Sequence, residues 1–279
     1  MDHVPDDAST PCVDCKVLDV RRLRPTNSAC SSSVENTGSS ENTTVLVLLG
    51  TLTLDLTNPS GAPMPEPLVL LGFGGNNLDI LDAITEINTR EPTYEVIGYL
   101  TPDGSARDTA ELPCLGNFTT AKQLASDVLI AGFSFGPGNF HTWPATVDSL
   151  GVSTERFATI IHPRAYVSPR SKVGHGTVIM AGTTVGADVT IGNHVTILQN
   201  CGLSHDDVIG DYTALTVGVT FSGNVKVGRN CFLGTNSTII RANIGDGSLV
   251  GAHTLIREDV PPGEVWVGVP GRFLRKISR

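Results

Sequence analysis

Three clusters in this 279-residue chain have side chains suited to chemistry. His205-Asp206 puts an imidazole next to a carboxylate. A neutral imidazole near pH 7 is the best-matched side-chain base, and a carboxylate can orient its ring and stabilise the imidazolium. Two solvated surface residues is the alternative reading. Gly72-Phe73-Gly74-Gly75-Asn76 is a glycine turn after an apolar run, of the kind that leaves backbone N–H groups free for a phosphate. The full G-x-G-x-x-G is absent, since its third glycine position holds Asn77. A tight turn with no ligand explains that motif equally well. Cys12 and Cys15 form a lone C-x-x-C with no second pair, a weak metal or redox signal that reads better as two free thiols in a leader.

These groups are carried by two kinds of pattern. From Ile161 to Ile239 every sixth residue is large and apolar, from Ile161, Val167 and Val173 through to Leu233 and Ile239. After one deleted residue the beat resumes at Ile244, Val250 and Ile256. The position four after a beat is almost always small or β-branched, as in Thr177, Thr183, Val195, Cys201 and Cys231. A period of six fits neither an amphipathic helix nor an alternating strand. It fits a three-faced solenoid of short strands, with eighteen residues per coil. Its beat residues fill the interior, and its coils stack roughly 4.8 Å apart. The glycines that follow many beats are expected at corners of unusual φ/ψ. His205 and Asp206 fall two and three places past the Leu203 beat, so both can point outward.

Upstream, Leu68–Leu71 reads as a buried strand, Leu78–Asn88 as a helix, Tyr94–Leu100 as a second strand and Asp127–Ala131 as a third. Strands alternating with helices predict a small parallel α/β domain. His141-Thr142-Trp143, between Pro137 and Pro144, reads as a loop. The expected layout is a disordered leader at 1–63, a Rossmann-like nucleotide-binding domain at 64–150, a parallel β-helix at 151–260 and a cap at 261–279. The tail, with Arg272, Arg275, Lys276 and Arg279, reads as a short amphipathic helix closing the open end, or as phosphate contacts for a cofactor.

Whole-chain numbers narrow the class. Hydrophobic residues make up 40% and charged residues 17%, an ordinary globular composition. A net charge of −9 argues against a nucleic-acid backbone as partner. The start carries no basic and apolar signal segment, and Thr44–Leu56 is too short to span a bilayer. With no disulfide framework either, the cytoplasm is the expected compartment.

The order of parts resembles a family. A G-x-G-G turn, then IIHPRAYVSPRSKVGHGTVIMAG, LSHDDVIGDY, FSGNVKVG and VGVPGRFLRKI, are similar to hexapeptide-repeat sugar acetyltransferases. That group includes UDP-amino-sugar and perosamine N-acetyltransferases and sialic acid O-acetyltransferases. The resemblance covers about residues 66–276. It implies a left-handed β-helix, acetyl-CoA as co-substrate, no metal and a homotrimer. It implies that His205 is the general base, Asp206 its partner and Gly223 N–H the donor to the thioester oxygen. Acetyl-CoA is expected along Gly223, Gly234, Ala252, Arg257, Arg272 and Lys276, and the nucleotide sugar at Gly72, Gly74, Gly75, Asn76 and Asp103. Three departures stand out. Ala214 replaces a second histidine, Val217 replaces a proline, and Asp207 takes an inward slot that is commonly cysteine.

Two other classes compete. A zinc enzyme on this solenoid needs three converging histidines, and His162, His175, His194, His205 and His253 lack the spacing. A non-catalytic scaffold or sugar-binding protein draws its support from Ala214.

Met64 precedes the first buried strand, so the functional chain is expected to begin there. Mass spectrometry of the native protein should find Met64 at its N-terminus; an intact Met1 peptide in the mature protein would overturn this.

Overall fold

A computed structural model describes residues 64–106 and 111–277. The expected leader, with Cys12 and Cys15, lies outside the described residues, as does Arg279.

The first domain is a four-stranded parallel sheet of β1 (Glu66–Leu71), β2 (Tyr94–Thr101), β3 (Cys114–Asn117) and β4 (Leu129–Ala131), in the order β3-β2-β1-β4. Leu68 to Leu71 are fully buried because β1 is central and covered on both sides, so its apolar run is continuous rather than alternating. Helix α1 (Asn76–Arg90) packs on the sheet through Ile80, Ala83, Ile84 and Ile87, one face of a 3.6-residue period. The expected strands and helix are present, with shifted ends, and β3 is an addition. The segment expected as a loop is instead a 3₁₀ turn, Phe140–Thr142, followed by α2 (Trp143–Ser149). Pro144 sits in the first turn of α2, where its missing N–H costs nothing, and Trp143 is buried against Phe135 at 5.5 Å between rings.

From Ile160 onward the chain winds as a left-handed parallel β-helix. The first face begins with Ile160–Ile161, the second with Tyr166–Val167 and the third with Lys172–Val173. Residues stack in eighteen-residue register, Thr190 beside Val208 and Val208 beside Lys226. The deletion shortens one step, so that Lys226 pairs with Asn243. Beat residues from Ile179 to Ile256 form one continuous buried core. Ile161, Val167 and Val173 are only half-buried, because no coil covers them from below.

The corners correct one expectation. The glycines after the beats do not supply the left-handed backbone. Positive φ falls three places past the beat, at Asp188, His194, Asn200, Asp206, Tyr212, Asn224, Asn230 and Asn236. The post-beat glycines answer a different constraint, the close approach of the next coil. A Cβ on Gly210 would lie 2.6 Å from the Gly228 carbonyl carbon.

The tail is a second correction. It is an antiparallel hairpin of Glu264–Val267 and Arg272–Lys276, not a helix. Val265 and Trp266 pair with Leu249 and Val250, so the first face continues past the two prolines. Pro261 and Pro262 lie in the turn, where no ladder N–H is needed, and the Val-Trp-Val run suits a strand.

The α/β domain packs on the first face. Val178, Met180 and Leu198 of the solenoid share its core. Glu86 of α1 pairs with Arg164 at 3.0 Å, and Gln199 donates to Asp79 at 3.2 Å.

His194 lies in this junction, 4% exposed, with its ring between Phe157 and Tyr212. Its Nε2 has no hydrogen-bond partner among the described residues. Burial pushes its pKa down to about 4, against the opposing pull of Asp211 and Asp148. The unfolded chain therefore binds a proton that the fold does not. Stability is complete above the ordinary histidine value of 6.5 and is lost as pH falls from there toward 4. By pH 5 the loss should be about 2 kcal/mol. Urea unfolding at pH 7 and pH 5 should show this drop, and His194→Asn, which suits the left-handed corner, should flatten it.

Candidate functional site

The solenoid has three edges. His205 and Asp206 occupy the edge between the second and third faces, which lies opposite the face that carries the α/β domain. Leu203 and Asp207 point inward on either side of the pair, so residues 205 and 206 must project outward. Asp206 holds the left-handed corner position, φ 59°. Its Oδ2 lies 2.8 Å from His205 Nδ1, and both side chains are more than half exposed. A proton on Nδ1, donated to that carboxylate, leaves the Nε2 lone pair facing outward as an acceptor.

One coil above, Gly223 lies over the ring. A Cβ there would come within 3.1 Å of His205 Nε2, and φ is +93°. Only glycine fits without strain or displacement of the imidazole. Among the described residues no group accepts a hydrogen bond from Gly223 N–H. A proton acceptor and a free N–H donor therefore sit side by side. That is the minimum equipment for attack on a carbonyl that becomes an oxyanion.

The remaining residues expected along the cofactor fall on two edges, apart from Lys276, which sits across the tail hairpin from Glu264 at the start of the last first-face strand. Arg257 is on the His205 edge, and Arg272 reaches Glu258 there at 2.9 Å. Gly234 and Ala252 stack on the edge between the first and second faces, where a Cβ on Gly234 would lie 2.5 Å from Ala252 N. Lys276 Nζ lies 2.6 Å from Glu264 Oε1, beside the Trp266 Nε1–H bond to the same carboxylate. These contacts from Lys276 and Trp266 hold Glu264 below the usual carboxylate range. Arg272 and Lys276 are thus already paired with carboxylates.

The glycine turn lines a cleft of about 620 Å³ in the α/β domain. Gly72, Gly74, Gly75, Asn76 and Asp103 all border it. Gly75 precedes the first turn of α1 and caps it with no side chain. Asn77 and Leu78 N–H turn back to Gly74 O and Gly75 O, and the positive end of the helix faces the cleft, a setting that favours an anion. Asp103 accepts from Ser105 Oγ at 2.7 Å and Ser105 N–H at 3.1 Å, and these bonds keep its carboxyl low. Sequence reasoning missed Asn77. Its Nδ2 donates to Leu71 O and Phe133 O at 2.9 and 2.8 Å, and its Oδ1 accepts from Phe133 N–H. It ties the ends of β1 and β4 together beneath the turn. The signal was present as the residue standing where the motif's third glycine belongs.

Ala214 is buried on the first face against Phe140 and Phe232, whose rings lie 5.6 Å apart. An apolar cluster fills that place, away from the His205 edge. Asp207 is fully buried and accepts Ser204 N–H at 2.8 Å and Val225 N–H at 2.9 Å. Burial pushes its carboxyl up, against the pull of those two donors. His175, His194, His205 and His253 are spread over all three edges. Among the described residues no three His, Cys, Asp or Glu are placed to hold a metal ion, and no helix is long and apolar enough to cross a membrane.

Comparison with known proteins agrees with this architecture. Residues 170–205 match the family described as bacterial transferase hexapeptide (six repeats), and residues 224–256 match the hexapeptide repeat of succinyl-transferase. The chain is 36% identical over 62 residues to galactoside O-acetyltransferase of Escherichia coli, covering 22% of this chain and 30% of that one. It is 41% identical over 71 residues to bifunctional protein GlmU of Streptococcus gordonii, covering 24% and 15%. The matches thus span less than a third of these curated relatives. Among solved structures, the acetyltransferase domain of PglB from Neisseria gonorrhoeae, in complex with acetyl coenzyme A, aligns with TM-score 0.64 and 24% identity over 75% of this chain and 100% of that one. PerB from Caulobacter crescentus, in complex with CoA and GDP-perosamine, aligns with TM-score 0.63 and 24% identity over 75% and 97%. The shared feature is the fold, an α/β domain leading into a β-helix.

Asn77→Ala should leave three backbone groups at the ends of β1 and β4 without their side-chain partner. The α/β domain is expected to lose about 2–3 kcal/mol, read as a lower urea midpoint. A midpoint equal to that of the parent would remove Asn77 from this role.

Proposed function

We propose that this protein is an acetyltransferase that moves acetyl from acetyl-CoA to the amino group of a nucleotide-linked sugar. The close variant is transfer to a hydroxyl of a sialic-acid-type sugar. The observation that carries the reading is the His205–Asp206 pair, 2.8 Å apart, with Nε2 against Gly223.

The chemistry follows from the geometry. Nε2 accepts a proton from the acceptor nitrogen as that atom attacks the thioester carbon. Asp206 stabilises the imidazolium that forms. The carbonyl oxygen gains negative charge and takes the Gly223 N–H. Collapse breaks the C–S bond, forms the amide and expels the CoA thiolate, which recovers a proton from the imidazolium. Gly72, Gly74, Gly75 and Asn76, at the start of α1, receive the nucleotide phosphates, and Asp103 borders the same cleft. Gly223, Gly234, Ala252, Arg257, Arg272 and Lys276 take acetyl-CoA.

One chain does not bring these parts together. Its cleft belongs to the domain on the first face, and its His205 edge lies opposite. Gln199 links the edge that carries Gly234 and Ala252 to α1 beside the cleft. A homotrimer supplies the missing half, with the His205 edge of one copy facing the Gly234–Ala252 edge and cleft of the next. The cytoplasm, where acetyl-CoA and nucleotide sugars meet, is the fitting compartment. The acetyl coenzyme A held by the PglB domain, and the CoA and GDP-perosamine held by PerB, support the substrate classes.

The test is CoA-thiol release from acetyl-CoA against UDP-, dTDP- and GDP-linked 4-amino-sugars and free or CMP-linked sialic acids. One acceptor should react, and His205→Ala should slow it on the order of 10²–10⁴-fold. Full turnover in His205→Ala would refute the base. Silence across the panel with no acetyl-CoA binding would favour a scaffold.

A further inference from the structure

One hydrogen bond repeats up the solenoid. The N–H after each beat donates to the beat carbonyl one coil above, as Gly186 to Leu203, Leu198 to Leu215, Gly210 to Val227 and Thr216 to Leu233. It recurs at each such step from His162 to Gly251 except one. Ser204 N–H does not reach Phe221 O. It turns instead to Asp207 Oδ2 at 2.8 Å, and pairing at that level is reduced to Gly202 beside Thr220.

The slot Asp207 fills explains the exception. Other coils place threonine there, at 177, 183 and 213. Each threonine hydroxyl accepts one N–H from the coil above and donates to one carbonyl. Asp207 keeps the first bond, accepting Val225 N–H at 2.9 Å. Its second oxygen cannot donate when ionised, so it takes another N–H, and Ser204 supplies it. A threonine has no second oxygen for this. The break sits at the candidate site: Ser204 precedes His205, Phe221 lies two residues before Gly223, and Val225 two after.

We propose that Asp207 is a positioning residue. By drawing Ser204 N–H out of the coil-to-coil ladder, it holds the His205 turn open against Gly223 and sets the gap in which the acetyl carbonyl is attacked. The inference rests on the reading of His205 as the base.

Asp207→Thr tests it, because it restores what the neighbouring coils use. In a crystal structure of the variant, Ser204 N–H should bond to Phe221 O, and the His205 ring should shift relative to Gly223. The thermal midpoint should not fall. With acetyl-CoA and the reactive acceptor of the panel, kcat should drop on the order of 10- to 100-fold, with both KM values within about twofold. A merely structural role for Asp207 would instead leave kcat intact, and that result overturns the proposal. So does a variant structure in which His205 and Gly223 superpose on the parent. If Asp207→Thr fails to fold, Asp207→Asn has the same size but one acceptor oxygen. The same kcat loss is expected there, and full activity overturns the proposal. His205→Ala run in parallel separates the two claims. If it keeps turnover, the base assignment fails, and the variant structure alone decides what Asp207 does to the turn.

Discussion

Everything in the solenoid depends on the backbone ladder between coils. Short strands cannot bury enough surface alone, so each coil is held by N–H groups donated to the coil above. This bonding fixes the height and rotation of every coil relative to the next. A residue is therefore placed by its remainder in the eighteen-residue period more than by its own preferences. Gly223 lies over His205 because the ladder leaves no other place for it. The same rule separates Ala214 from His205, since a difference of nine is half a coil and lands on another side.

That rigidity explains why the solenoid was legible in the sequence. The interior admits large apolar residues at one position in six and small ones at another, and the pattern persists for many coils. The projection of His205 and Asp206 followed from counting past Leu203. What escaped was local. The glycines after the beats looked like left-handed corners, yet they serve the close approach of stacked backbones. The two unusual demands, open φ and absent Cβ, fall on different positions of the same turn, and residue type alone does not separate them.

The other misses have physical causes of their own. The segment around Trp143 looked like a loop because Pro137, Gly138 and Pro144 punctuate it. Burial of Phe140 and Trp143 against the sheet and the solenoid outweighed that local signal. The tail looked helical by its basic pattern, but an open edge on the first face offered ladder partners to Val265 and Trp266. Asn77 looked like a broken motif, whereas its amide does what neither a glycine nor a backbone group could, binding two strand ends at once.

The left-handed corner has a consequence for how such a site can arise. Three places past each beat the backbone restricts the usable alphabet, and asparagine, aspartate and glycine dominate at that position here. An outward-facing residue two past the beat therefore often has aspartate or asparagine as its neighbour, as at 188, 200, 206, 224, 230 and 236. When a histidine appears at such a place, a carboxylate next door is one of few options the turn already accepts. Half of the base–acid pair is thus drawn from a vocabulary that folding already imposes on the corners, and at Ala187, beside Asp188 one coil below His205, a single substitution to histidine would place the same two residue types side by side.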